Sequence, residues 1–400
     1  MQGSTGEADV IRLRQNISEL LHRKVLEAIE TVLEEELTEA LGSGRYERSD
    51  ERRGYRNGHE TRRVTTELGP KTLQVPRGRI AEGDGTTREF QSDVVPRYAR
   101  RTRKVDEAIL GAYLAGANTR RIRKALEPLL GAEHLSKSAV SRVAGRLKGQ
   151  FAQWRERDLS DERYAILFLD GFHLKVRMAR RVVSVPVLAA LGVEPDGPKR
   201  LVALELAVSE AAAHWSRLVS DLERRGLESP ALIVSDGHPG LLKALEAWPR
   251  AEVQRCTRHK LENLLKHCPA HAHRELKRDY RRIVNAKDGL QAREAYQACV
   301  TKWRKLCPAV AKSLEEAGDR LLTFYTFPKA MWKGLRTTNS IENLNREFRR
   351  RTKTQGSFST EEAAVTLLYG LVAFRQIELR RICGYKHVAE LIASATRRAA

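Results

Sequence analysis

The stretch Tyr164–Arg177, YAILFLDGFHLKVR, constrains this chain more than any other. A dense aliphatic and aromatic run that passes into alternation reads as a strand half or wholly buried in a sheet. Asp170 stands where the unbroken apolar run stops, at the end of the strand. A carboxylate there is costly unless a nearby charge compensates it. The compensation we infer is a divalent cation shared with two acidic residues far along the chain, Asp236 and Glu342.

The flanking pattern sets the fold class. Apolar runs at Tyr164–Val176, Val182–Leu191 and Leu201–Val208 predict three successive antiparallel strands, with the turn GVEPDGPK between the second and third. A helix over Ala211–Arg225, a strand at Ala231–Ser235, a helix at Pro239–Ala247 and a strand at Val253–Cys256 follow. Together they predict an α/β fold, a mixed sheet with helices on its faces. Residues 257–336 read as an all-helical segment, including Arg274–Val284, Leu290–Leu306 and Ala309–Ala317. A helix beginning near Asn339 carries IENLNREFRRRTK, and Glu361–Arg380 forms a last apolar helix.

Asp170 and Asp236 each sit at a predicted strand end, the second within ALIVSDGHPG, so neighbouring strands would bring them to one point. Glu342 lies on a helix that can turn inward from above. Such oxygen ligands suit Mg²⁺, and two ions about 4 Å apart can activate an attacking oxygen and stabilise a leaving one. Plain alternatives stand beside this reading. Asp-Gly at a strand end is a common turn, and Glu342 can pair with Arg346 one turn later. Glu342, Arg346, Arg349 and Lys353 share one helix face, while Ile341, Leu344 and Phe348 form the apolar stripe.

The amino-terminal part has a different texture. Residues 1–43 predict an amphipathic helix, with Val10, Leu13, Ile17, Leu20, Val25, Ile29, Val32 and Leu37 at helical spacing. It serves packing or, alternatively, dimerisation. Residues 44–104 carry a basic hairpin, with strands at Val64–Glu67 and Thr72–Val75 around a Gly69–Pro70 turn. Arg52, Arg53, Arg56, Arg62 and Arg63 cluster beside Tyr55 and can either face solvent or grip phosphates. Residues 105–150 read as three helices, Val105–Leu114, Thr119–Leu130 and Ser136–Leu147. The last has the small, basic character of a recognition helix in a helix-turn-helix, although simple helix packing explains it too.

Charge agrees with a polyanionic partner. Lys and Arg number 72 against 51 Asp and Glu, a formal net charge of +21. No apolar run is long enough to span a bilayer, and the amino terminus lacks a secretion signal. Five cysteines at 256, 268, 299, 307 and 383 give no disulfide framework. A reducing cytoplasm is the compartment expected.

Three blocks, LDGFHLKVR, VSDGHPGLLKALEAWPRAEVQRCTRHKLENLL and RTTNSIENLNREFRRRTKTQGSF, resemble the catalytic blocks of the Mutator-type transposases of bacterial insertion sequences. ERRGYRNGHETRRV and LQVPRGR resemble that family's entry segment. The resemblance covers nearly the whole chain and implies a DDE transposase. Its ribonuclease-H-like core would span 163–256 and 337–400, interrupted by a helical insertion at 257–336. Asp170, Asp236 and Glu342 would then be the catalytic residues, holding two Mg²⁺ ions with Mn²⁺ as a substitute. Cys256 and His259 match a C-x-x-H pair near the active site.

The implied partners are double-stranded DNA, as element ends and as target, and further copies of the chain in a homodimer or larger synaptic complex. Association with the nucleoid follows. Candidate DNA contacts on the catalytic side are Lys175, Asn339, Arg346, Arg349, Arg350 and Lys353. Two further readings concern chemistry near that site. Cys256, His259, Cys268 and His271 form a CxxH…CxxH pattern that could hold zinc, and Trp303 or Trp332 could stack on a base, although core packing suits both better. A catalytically idle DNA-binding regulator, or a nuclease that cuts without joining, remain the rival functions.

Overall fold

The computed structural model describes residues 4–66, 69–82, 85–117, 119–130, 137–178, 181–207, 211–353, 358 and 360–391. The chain divides into two units, Met1–Gly145 and Arg146–Ala400.

The first unit opens with one long helix, α1 (Ser4–Leu41). Two long antiparallel strands follow, β1 (Gly54–Thr66) and β2 (Gly69–Ala81), and a short third, β3 (Thr87–Glu89), pairs with β2. The hairpin is far longer than its apolar alternation indicates. Gly69 and Pro70 do not form the expected turn but lie within β2, opposite Thr66 and Thr65, and residues 67–68 lie outside the described residues. The face of α1 that meets the hairpin carries Leu26, Ile29, Leu33, Leu37 and Leu41, which pack with Val64, Leu73, Val75 and Ile80. Ile17, Leu20, Val25 and Val32, expected on the packed stripe, are exposed. The helices α2 (Arg103–Leu114), α3 (Thr119–Leu130) and α4 (Lys137–Glu156) come next. The last extends well beyond its expected end at Leu147, while the 131–136 connection of the suggested helix-turn-helix lies outside the described residues.

The second unit is built on a five-stranded sheet. Its strands are β4 (Ile166–Met178), β5 (Arg181–Val193), β6 (Lys199–Leu206), β7 (Leu232–Ser235) and β8 (Glu252–Arg255). Their order is β6-β5-β4-β7-β8. The first three are mutually antiparallel, and β7 and β8 run parallel to β4. Crossover helices α5 (Ala212–Arg224) and α6 (Pro239–Ala244) make the two parallel connections.

Alternation along β4 sorts the two faces. Leu167 and Leu169 join Trp215, Leu218, Leu222 and Leu241 from α5 and α6 in one core. Asp170 and Phe172 point the opposite way, and Phe172 stacks on Phe348 of the later helix α12 with ring centroids 6.0 Å apart. Asp170 does not end the strand as expected. β4 continues to Met178, paired with β5 throughout, because FHLKVR alternates and so suits a half-buried ribbon. What stops at Leu169 is the pairing with β7.

Beyond β8 the chain is helical: α7 (Thr257–His267), α8 (His273–Val284), α9 (Gly289–Leu306), α10 (Pro308–Ala317) and the single turn α11 (Trp332–Leu335). These helices have their own core, containing Leu264, Leu276, Tyr280, Tyr296, Trp303, Val310 and Leu314. α12 (Asn339–Thr352) then returns to pack on β4, and α13 (Glu361–Ala373) follows. α13 stops short of the expected Arg380 because Arg375 adopts a left-handed φ of 52°, and Ile377 N–H closes back onto Leu371 O. No helix among the described residues is long and apolar enough to cross a membrane.

Candidate active site

The parallel register of β4 and β7 builds the first half of the site. Leu169 pairs with Ser235, so Asp170 and Asp236 each lie one residue past the last pair, on adjacent strands. Asp170 is only 8% exposed. Its Oδ2 accepts a 2.7 Å hydrogen bond from Asn345 Nδ2 on α12. Asp236 opens a tight turn in which His238 N–H donates to its Oδ1 at 2.9 Å. The turn needs Gly237, whose φ is 76°. A Cβ there would lie 2.3 Å from Arg255 Cδ.

Arg255 braces this turn from β8. Its Nη1 donates to Gly237 O at 3.0 Å and to Glu316 Oε1 at 2.7 Å. Glu316, on α10, also accepts from the fully buried Lys260 Nζ at 2.7 Å. One carboxylate therefore neutralises two cations packed behind the strand ends, as burial of charge requires.

The second half forms where β8 passes into α7 and where α12 begins. Cys256 N–H bonds Ser235 O at 2.7 Å, which holds the start of α7 beside the Asp236 turn. Thr257 then donates both N–H and Oγ1 to Arg336 O, each at 2.9 Å. Thr338, wholly buried, precedes α12 and sits among three candidate site residues. Its Oγ1 is 2.7 Å from Glu342 Oε1, 3.2 Å from Cys256 Sγ and 3.4 Å from His259 Nδ1. Glu342 Oε2 accepts from Arg258 Nη1 at 3.2 Å, and His259 Nε2 lies 3.8 Å from Oε1.

Donor atoms of Cys256, His259 and Glu342 all lie within 4.8 Å of one another. Asp170 is tied to the same helix through Asn345, three residues after Glu342. Burial pushes the Cys256 thiol up, but His259's hydrogen bond and charge outweigh it and leave the thiol below its ordinary value. His259 is raised to about 9, first by its bond to Cys256 against the effect of burial, then by the charges of Cys256, Glu342 and Asp170.

The four-residue CxxH…CxxH arrangement does not form. Cys256 and Cys268 flank opposite ends of α7, about 18 Å apart at 1.5 Å rise per residue. Cys268 is buried and His271 exposed. Trp303 is 1% exposed and donates Nε1–H to Asp279, so it packs the helical core and offers no face to a base. Trp332 donates to Phe327 O and makes edge contacts with Phe324 and Tyr325.

Candidate phosphate contacts divide by environment. On the second unit, Lys175, Asn339, Arg346, Arg349, Arg350 and Lys353 are exposed. Arg349 lies over the Phe172 ring at 5.7 Å, and Arg350 pairs with Glu347 at 2.7 Å. Within the first unit, two of the five arginines are half-buried and make several internal bonds each. Arg56 bonds Glu34 and Thr38, and Arg62 donates to the carbonyls of Val95, Pro96 and Ala99. Arg52 and Arg53 bond Gly54 O and Glu39 O from exposed positions, and Arg63 is exposed.

Sequence reasoning missed Thr338, Asn345, Arg258 and Arg255. Thr338 and Asn345 do carry a signal, since they stand four residues before and three after Glu342 and so share its side of a helix. Nothing in the sequence marks Arg255.

Comparison with known proteins adds an independent observation. The model of the family described as "Transposase, Mutator family" matches residues 2–379. The transposase for insertion sequence element ISRM5 of Rhizobium meliloti is 33% identical over 92% of this chain and 91% of its own. That for IS406 of Burkholderia multivorans is 37% identical over 83% and 84%. That for IS256 in transposon Tn4001 of Staphylococcus aureus is 31% identical over 84% and 85%.

Proposed function

The chain belongs to the Mutator family of transposases, and on that premise we propose that it binds the terminal inverted repeats of an insertion sequence and catalyses Mg²⁺-dependent DNA strand cleavage and strand transfer. One observation carries the reading: Asp170 and Asp236 occupy neighbouring ends of paired parallel strands, and α12, the helix that carries Glu342, bonds Asp170 through Asn345. The strand order supports a ribonuclease-H-like core, with the first strand central, the second and third antiparallel to one side and the fourth and fifth parallel to the other. The helices between β8 and α12 are then an insertion into that core.

The residues fit the ions expected. Carboxylates are hard oxygen donors suited to Mg²⁺ or Mn²⁺. The buried Asn345 Oδ1 has no hydrogen-bond partner among the described residues and can accept from a hydrated ion. Asp170, Asp236 and Glu342 would hold the metal. When bound, the ions supply Lewis-acid stabilisation of the attacking and leaving oxygens at phosphorus. Arg346, Arg349 and Lys353 extend along α12 from Glu342 and would bind the phosphates on either side of the cut.

Hydrolysis first frees a 3′-hydroxyl, and that hydroxyl then attacks a phosphodiester of the target DNA and displaces the 3′-oxygen of the neighbouring nucleotide, with no covalent enzyme intermediate. Joining two ends calls for at least two copies of the chain, and the work takes place in the cytoplasm at the nucleoid. The test incubates wild type and Asp170→Asn with Mg²⁺ and DNA bearing the element's own ends. Asp170→Asn should bind the ends normally and lose cleavage by about 10³-fold or more, since several kcal/mol of metal stabilisation is removed. Binding without cleavage by either protein would identify a regulator instead, and cutting without joined products a nuclease.

A further inference from the structure

Glu342 is fixed from behind by a hydroxyl. Thr338 O accepts the Glu342 backbone N–H at 2.9 Å, which begins the helix and brings the glutamate side chain back over the threonine. A hydroxyl has a single proton. Of its acceptors, the Glu342 carboxylate is the nearer at 2.7 Å, with Cys256 Sγ at 3.2 Å, and an ionised acceptor makes the stronger bond. The proton therefore goes to Glu342 Oε1. Cys256 Sγ also accepts from the Thr338 backbone N–H at 3.4 Å, and His259 Nδ1 stands 3.4 Å from Oγ1.

The cysteine of the C-x-x-H pair thus meets the glutamate through Thr338, while His259 also faces it directly, Nε2 to Oε1 at 3.8 Å. The same hydroxyl stands among the donor atoms of Cys256, His259 and Glu342 and hydrogen-bonds within that cluster. We propose that Thr338 is a positioning residue that orients the Glu342 carboxylate for its metal, and that Cys256 acts on the site through it. This rests on the reading of Glu342 as a metal ligand. A partner of that kind sets the direction of the ligand's lone pairs and thereby the affinity for the ion.

The measurement is DNA-end cleavage against Mg²⁺ concentration, with thermal unfolding followed by circular dichroism to establish that each variant folds. Thr338→Val keeps the shape and removes the hydroxyl. It should raise the half-maximal Mg²⁺ concentration by about 10- to 100-fold. Thr338→Ser restores the hydroxyl and should stay near wild type, which controls for packing. Cys256→Ala should raise the midpoint in the wild-type background and add nothing in Thr338→Val.

An unmoved midpoint in a folded Thr338→Val overturns the inference, whether or not the plateau rate falls, provided Glu342→Gln abolishes cleavage. If Glu342→Gln also cleaves with the wild-type Mg²⁺ profile, the metal-ligand reading itself fails and this inference with it. Full additivity of Cys256→Ala and Thr338→Val would show that the cysteine acts by another route.

Discussion

At Gly237 a single hydrogen atom faces Arg255, and the backbone stands in the left-handed region. Both facts forbid a side chain where the chain must turn sharply after Asp236. Gly237→Ala should therefore destabilise the protein by about 1–3 kcal/mol from backbone strain alone. Urea unfolding should show a lower midpoint with an unchanged slope. An unaltered midpoint would mean both that the turn carries no left-handed strain and that Arg255 yields freely, and the Asp236 turn would then lack the bracing ascribed to it. Asp170 poses the complementary problem. It is a nearly buried acid whose Oδ2 accepts from the Asn345 amide, a placement that the proposed metal site would explain.

Among the elements, β4 was the most legible and also the most misleading. Its apolar density marked the central strand, and its junction with the neighbouring strand was visible as the place where the two Asp-bearing runs stop. Its length was legible, with Tyr164–Val176 expected against Ile166–Met178 observed, but Asp170 was set at the strand's end because FHLKVR looks like a polar exit when it is half of a two-stranded ribbon. The hairpin in the first unit was shortened for the same reason, since Arg and Gly at alternate positions mask a strand that α1 covers on only part of one face. Long-range contacts were beyond reach. No spacing rule connects Arg255 and Lys260 with Glu316, which comes from α10.

That contact has a measurable signature. Burial raises the Glu316 carboxyl, but Lys260 and Arg255 outweigh it and hold the group below the ordinary carboxylate range. A carboxyl depressed on folding contributes stability that is present above its unfolded value, about 4.3, and is lost as pH falls through the lower folded one. Glu316→Gln should thus reduce stability near neutrality and flatten the decline below about pH 5. Glu316 is half exposed, so screening should keep the neutral-pH cost to about 1–3 kcal/mol, below that of breaking a fully buried pair. Equal acid sensitivity in the two proteins would refute this account.

On the scale of the whole molecule, the net charge of +21 dominates. Binding to the element's ends should be strongly salt-dependent. If six to ten phosphates are neutralised, affinity should fall by about 10³- to 10⁵-fold between 50 and 200 mM salt, as read by fluorescence anisotropy. A flat salt response would place recognition outside the basic surfaces. One last feature bears on how such a chain can change over time. The long helical excursion departs just after β8 and comes home at Arg336, and Thr257 clasps its two ends together with a pair of hydrogen bonds. A detour stitched shut at its base tolerates added length in its outer connections, because each doubling of a closed flexible loop costs only about 0.6 kcal/mol. Lineages can accordingly lengthen those connections, while the parts carrying Arg258, His259 and Glu316 are held in place by their bonds to Glu342 and Arg255.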